Sequence, residues 1–410
     1  MPAVCFYFQV HQPYRLKRYS YFDIGGDESY FDEALNRSVI ERVALNTYIP
    51  ANKRLLDCIK QSRGEFKVSF SLSGTVIEQM KAYAPAALES FKALARTGCV
   101  EFLGETYYHS LASLYDAEEF RQQVELHSDL IESEFGQRPR VFRNTELVYD
   151  DRHGAEISVL GFDGIITEGA QDILGWRSPN FLYRVVDCST KLLLRNYKLS
   201  DDIAFRFSSQ AEKGAEYLAP DLYTRWLHEL TGNADVVGIF LDYETFGEHH
   251  RESSGILEFL SALPPLVLAH QDWKFATPSE AVRHLHSVTE LSYPRITSWA
   301  DVERDVSAWR GNKMQQAALA AIYDTTNLYG SCDIREAGME AALETWRRLQ
   351  TSDHFYYMST KGAGDGEVHR YFSPFESPYD AFIAYMNVLK DLSESTLSQR
   401  GCSRNRASNV

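Results

Sequence analysis

The sequence predicts an α/β fold, either a parallel β/α barrel or a doubly wound sheet, followed by a helical C-terminal region. Three observations predict it. Short apolar runs alternate with longer stretches of helical periodicity over the first two thirds of the chain. Polar and acidic residues follow directly after these runs, where the active-site rim of a parallel barrel would lie. From Asp301 to Leu392 the strand signal fades and helical periodicity replaces it.

The strand candidates are Ala3–Val10, Phe66–Leu72, Cys99–Leu103, Arg140–Phe142, Gly164–Thr167, Leu192–Arg195 and Val236–Leu241, with a weaker eighth at Trp273–Ala276. Several are unbroken β-branched or aromatic runs, as strands covered on both faces should be. Helical periodicity fills the intervals at Asn46–Gln61, Thr75–Thr97, Ala117–Phe135, Arg152–Leu160, Ala219–Leu230 and Ser253–Ala269. Pro220 near one start and Gly136 just past one end punctuate them as expected. The C-terminal helices are read at Asn312–Tyr323, Ile334–Leu349 and Tyr379–Leu392. The expected division is therefore a catalytic barrel over 1–290, a helical domain over 291–392 and a flexible polar tail over 393–410.

Composition narrows the function classes. The chain of 410 residues carries 42 basic and 57 acidic side chains, a net charge of −15. That acid excess excludes a phosphate-backbone binder, which relies on clustered Lys and Arg, so no nucleic-acid partner is expected. No apolar run approaches the roughly 20 residues of a membrane span. The N-terminal segment has neither the basic nor the apolar stretch of a secretory signal, and a cytoplasmic enzyme is expected. The six cysteines (Cys5, Cys58, Cys99, Cys188, Cys332 and Cys402) are scattered without CxxC spacing and read as reduced thiols. Aromatic residues make up 13% of the chain, enough to fill a large core or to offer flat surfaces for stacking on sugars.

The residues that follow the strands carry the chemistry. The first strand feeds His11-Gln12-Pro13, and the third feeds Gly104-Glu105-Thr106-Tyr107-Tyr108-His109. The fourth ends at Asn144-Thr145-Glu146, the fifth at Glu168, and the seventh at Asp242-Tyr243-Glu244-Thr245-Phe246-Gly247. Glycosidic hydrolysis needs two carboxyl groups across the scissile bond, and Glu146 with Asp242 is a candidate pair on facing strands. Any one of these acids is more simply a helix cap, but five of them on one rim weaken that reading. A mixed metal site from His11, His109, Asp242, His249 and His250 is the rival chemistry. No HExxH, GxSxG, GxGxxG or Walker loop is present.

In their order along the chain, His11-Gln12-Pro13, Gly104-Glu105-Thr106, Phe142-Arg143-Asn144-Thr145-Glu146 and Leu241-Asp242-Tyr243-Glu244-Thr245-Phe246-Gly247 resemble the motifs of glycoside hydrolase family 57, an α-glucan-active family. The resemblance spans about residues 3–390. It implies an incomplete parallel (β/α)7 barrel followed by an all-helical C-terminal domain that closes the active-site cleft, and a retaining mechanism with no metal or other cofactor. Glu146 would be the nucleophile and Asp242 the acid/base. His11, Gln12, Glu105, His109, Tyr243 and Glu244 would bind sugar hydroxyls or orient the pair. In the helical region Trp309, Asp353 and His354 would reach the substrate, an oligo- or polysaccharide α-glucan such as starch, glycogen or a maltodextrin. Many members carry a Trp where this chain has Phe142-Arg143-Asn144-Thr145. The Tyr-Glu-Thr of the seventh motif and the short chain favour α-amylase-like hydrolysis over 4-α-glucanotransfer or branching. A metal-dependent polysaccharide deacetylase and a non-catalytic glucan-binding protein are the alternatives from other classes.

Overall fold

Ala3–Val10 is apolar on both faces, and all eight of its residues are buried as a central parallel strand requires. The computed structural model describes residues 1–26, 28–207, 218–329, 339–361 and 373–407. These fall into two compact units, one of residues 1–12, 37–106 and 124–299, the other of residues 13–36, 107–123 and 300–410. Each therefore draws on non-contiguous stretches of chain, whereas the sequence predicts one cut near 290.

The first unit holds seven parallel strands: β1 (Ala3–Val10), β2 (Val68–Leu72), β3 (Val100–Phe102), β4 (Val141–Arg143), β5 (Gly164–Glu168), β6 (Lys191–Arg195) and β7 (Val236–Asp242). Their order is β3-β2-β1-β7-β6-β5-β4, and all neighbours are parallel. Gly104 joins the two ends of this path, donating to the Val141 carbonyl at 2.9 Å and accepting from the Arg143 amide at 2.7 Å. The expected eighth strand is reduced to Lys274–Phe275, which adds to β1, and Tyr183–Arg184 lies antiparallel to β6. The result is the incomplete (β/α)7 barrel.

Two seams of this ring are thin, and a glycine sits at each. β6 and β7 share one register pair, Arg195 with Gly238. A Cβ on Gly238 would lie 2.4 Å from the Leu194 carbonyl oxygen, so only glycine lets the strands approach. A Cβ on Gly104 would meet the Phe162 ring at 2.9 Å. Inside the ring, Cys5, Tyr7, Leu103, Ile166, Leu193 and Phe240 form one apolar cluster with Ala281 and Val282 of the helix Pro278–His284.

The helices follow the predicted intervals with physical corrections. Thr75–Thr97 is two helices, Gly74–Tyr83 and Pro85–Ala95, because Pro85 forces Ala84 out of the helical region to φ −139°. The helix ending at Gln61 is preceded by a π-helical turn at Ala44–Tyr48 and by Glu33–Val43. No helix of the described residues is long and apolar enough to cross a membrane.

The second unit packs Lys313–Asp324, Met339–Leu349 and Ser352–Tyr356 with the last helix, Pro378–Ala407. The residues read as a tail from 393 continue that helix as far as Ala407. Within this unit the segment 13–36 is held by Asp391, which accepts from the Tyr19 and Tyr30 hydroxyls at 2.6 and 3.1 Å and from the Gly25 amide at 2.9 Å. The segment 107–123 is held by Glu119, paired with Arg347 at 2.9 and 3.1 Å. These contacts join residues more than 200 positions apart, which hydrophobic periodicity does not register. Cys5, Cys58, Cys99 and Cys188 are free thiols. Cys332, the side chain of Cys402 and the start of the predicted Ile334–Leu349 helix lie outside the described residues.

Candidate active site

Seven parallel strands put all their C-terminal ends on one rim, and the chain places its polar side chains there. On the β1–β7 side, the register pairs Gln9 with Asp242, the last residue of β7. His11, one residue past β1, shares a 2.7 Å hydrogen bond between Nδ1 and the Ser73 hydroxyl that follows β2. Gln12 donates to Oε1 of Glu244 at 3.3 Å, and the Tyr48 hydroxyl donates to the same oxygen at 2.6 Å. Burial and the neighbouring Asp242 charge push the Glu244 carboxyl up to about 8, against the opposing effect of the Tyr48 bond. At neutral pH Glu244 is therefore mostly a neutral acid beside Asp242.

The β3–β4 side is built differently. The Glu105 amide donates to Nδ1 of His127 at 3.2 Å, so Nε2 carries the ring proton and donates to the Leu72 carbonyl at 2.9 Å. Burial holds the His127 pKa below its ordinary value, consistent with this neutral tautomer. The Glu105 carboxylate lies 3.8 Å from the Arg143 guanidinium, both fully buried at the ends of β3 and β4. Thr106 and Thr145 share a 2.8 Å hydroxyl contact across the same seam.

Glu146 follows in a single 3₁₀ turn, Thr145–Leu147, with left-handed backbone: φ 56° at Glu146 and φ 52° at Leu147. Such conformations cost about 1–2 kcal/mol per residue. They persist here because Asn144 caps the turn, accepting from the Thr145 amide and donating to the Val148 carbonyl. The Glu146 carboxylate is 3% exposed and accepts a 2.7 Å hydrogen bond from the Trp299 indole N–H. Arg143 and Arg195 place their guanidinium carbons 5.1 and 5.6 Å from the Trp299 ring centroid. Arg195 is held in turn by Glu168 at 3.1 Å and Asp201 at 2.5 Å. In the strand order β4 and β7 are separated by two strands one way and three the other, so Glu146 and Asp242 arise from opposed sides of the ring.

The structure thus gathers His11, Gln12, Glu105, Glu146, Asp242 and Glu244 on the rim of the first unit. Tyr243 departs from its expected role as a sugar contact. The turn directs it away from the rim into the aromatic core, where Phe8, Phe70 and Tyr48 pack on its ring and its hydroxyl donates to Asn52 at 2.6 Å. It is 0% exposed, which leaves no face for stacking. Trp309, His109, Asp353 and His354 belong to the second unit. Trp309 is a core residue there, 1% exposed with Tyr356 against it, so it too offers no platform. The His109 carbonyl accepts from the Ser352 amide at 3.0 Å, which ties it to the helix carrying Asp353 and His354. Both of those side chains are buried, and Nε2 of His354 lies 3.2 Å from the Arg348 carbonyl.

Sequence reasoning missed Arg195, Trp299, Tyr48 and His127, and left Arg143 without a role. Arg143 and Arg195 were findable, since a guanidinium closing an apolar strand must meet a partner. Trp299, 153 residues from its carboxylate, carries no local signal. Among the described residues no three His, Cys, Asp or Glu side chains converge as a metal-binding group.

Residues 5–294 match the sequence model described as glycosyl hydrolase family 57. The chain is 42% identical over 398 residues, 95% of its length and 83% of the relative's, to a Methanocaldococcus jannaschii protein named "Putative alpha-amylase". A branching enzyme from Pyrococcus horikoshii superposes with a TM-score of 0.67 at 15% identity, covering 95% of this chain and 88% of that one. A 4-alpha-glucanotransferase from Thermococcus litoralis gives a TM-score of 0.65 at 14% identity, with 87% of this chain covering 56% of that one.

Proposed function

Because the chain belongs to glycosyl hydrolase family 57, we propose that it is an α-amylase-like glycosidase that hydrolyses α-glucans with retention through a covalent glycosyl-enzyme. The observation that carries this reading is the placement of two carboxylates, Glu146 and Asp242, at the ends of opposed strands of one ring. The name of the Methanocaldococcus relative supports the substrate class.

In the first step a Glu146 oxygen bonds to the anomeric carbon as the bond from that carbon to the leaving oxygen breaks. Asp242 delivers its proton to that oxygen. In the second step water gives a proton to Asp242, its oxygen bonds to the anomeric carbon, and the ester to Glu146 breaks. Atoms and charge balance over the cycle, and the acid/base ends protonated as it began. His11 and Gln12, at the end of β1, bind sugar hydroxyls. Glu244, held by Tyr48 and Gln12 beside Asp242, orients the β7 end, and the Glu105–Arg143 pair braces the β4 end.

Product analysis on maltoheptaose tests the reading. Shorter maltodextrins alone, released with retained anomeric configuration, are expected. Longer chains would indicate disproportionation and new α-1,6 links branching, while inverted product would overturn the covalent mechanism.

A further inference from the structure

Left-handed backbone at a buried carboxylate is a conformation the surroundings must impose, and its usual reason is to aim a functional side chain. At Glu146 the imposing elements come from two places. Asn144 braces the turn from within. The segment ending at Trp299 braces it from outside: Thr297 and Tyr149 exchange backbone bonds at 2.8 and 3.0 Å, and the Trp299 amide donates to the Glu146 carbonyl at 3.2 Å. The same residue then reaches the carboxylate, with its indole N–H on Oε2 at 2.7 Å. The ring itself is set by two anchored cations, Arg143 with Glu105 and Arg195 with Glu168 and Asp201. A ring whose only task was filling space would not need its N–H on a carboxylate or two buried guanidinium groups against it.

We propose that Trp299 is a positioning residue for the nucleophile, its indole N–H holding Oε2 of Glu146 so that Oε1 is the oxygen that attacks the anomeric carbon. This rests on the reading of Glu146 as nucleophile. During glycosylation Oε1 forms the new bond as the bond to the leaving oxygen breaks and Asp242 protonates that oxygen. Oε2 becomes the ester carbonyl oxygen and keeps the same donor. When water opens the ester, Oε1 is released with its electron pair and the carboxylate is already oriented for the next cycle. A donor fixed before the reaction needs no reorganisation during it.

The test is the rate at which 5-fluoro-α-glucosyl fluoride labels Glu146, read by mass spectrometry of the labelled peptide. Trp299→Phe keeps a ring beside the two arginines and removes the N–H. Labelling and kcat on maltoheptaose should each fall about 10- to 100-fold, the range for a hydrogen bond to a charged group, with KM changed less than about twofold. Labelling at the wild-type rate by folded Trp299→Phe would overturn the proposal. Should that variant not fold, an amino acid with benzothiophene in place of indole at position 299 keeps the shape and lacks only the N–H. The same loss is expected from it, and wild-type labelling by it overturns the proposal equally. Absence of label on Glu146 in the unmodified enzyme would instead sink the nucleophile assignment, and this proposal with it.

Discussion

The β4 end and the β7 end of the barrel each present one carboxylate, but their surroundings are opposite in kind. Glu146 sits on a strained turn with an indole donor on one oxygen and two anchored guanidinium groups behind that indole. Asp242 ends a regular strand, partly exposed, beside a buried acid that is mostly neutral at pH 7. The first is immobilised and supplied with positive charge, which suits a group that must attack at a fixed angle. The second has solvent access, which suits a group that must give up and recover a proton. Under the proposed mechanism, two identical functional groups take different roles from what the fold puts around them.

The largest effect should come from removing the carboxylates, and it should differ between the two ends. Asp242→Asn should lower kcat on maltodextrins about 10²- to 10⁴-fold. It should recover much of that loss on an aryl α-glucoside whose leaving group needs no proton. Glu146→Gln should be inactive on both substrates; equal recovery by both variants in a spectrophotometric assay would erase the distinction.

Next in size is the cationic support behind Glu146. Arg195→Met leaves Glu168 and Asp201 buried without their partner, a class of change that costs about 3–5 kcal/mol. Urea denaturation should register it, and a loss under 1 kcal/mol would mean that the guanidinium is not what holds the β6 end. Smaller still is the seam beneath both sites. Gly238→Ala places a Cβ against the Leu194 carbonyl oxygen and the Phe240 ring and should cost about 1–3 kcal/mol by overpacking. The same denaturation series reads it.

The last effect is a pH dependence confined to the β7 end. The folded-state pKa of Glu244 lies above its ordinary 4.5, at about 8, so between those values the folded protein holds a proton that the unfolded chain has lost. Stability from this group is present below about pH 4.5 and declines as pH rises towards 8. Glu244→Gln removes that decline, so melting temperatures of variant and wild type should move in the variant's favour between pH 5 and pH 8. A constant gap across that range would contradict the assignment of Glu244 as a neutral acid.

Much of the barrel was readable in advance because its signals are local. Ala3–Val10 is read to the residue, and the other six barrel strands fall within two residues of their predicted limits at either end, since runs of buried β-branched and aromatic residues have no other stable use. The errors have local causes as well. Pro85 splits one predicted helix, and Tyr243 turns into the core because successive residues at a strand end face opposite ways. The division of the chain was not readable, since Asp391 and Glu119 help claim the segments 13–36 and 107–123 through contacts with distant partners.

What the sequence determined by itself was the set of strands and the acidic residues that follow them. Those follow from the alternation of apolar and polar residues along a few positions. What only the tertiary structure decided was the state of each carboxylate: the donor on Glu146, the arginines against Trp299 and the neutral acid beside Asp242. Charge state and orientation depend on distance through space, and the groups that set them here lie up to 232 residues apart along the chain.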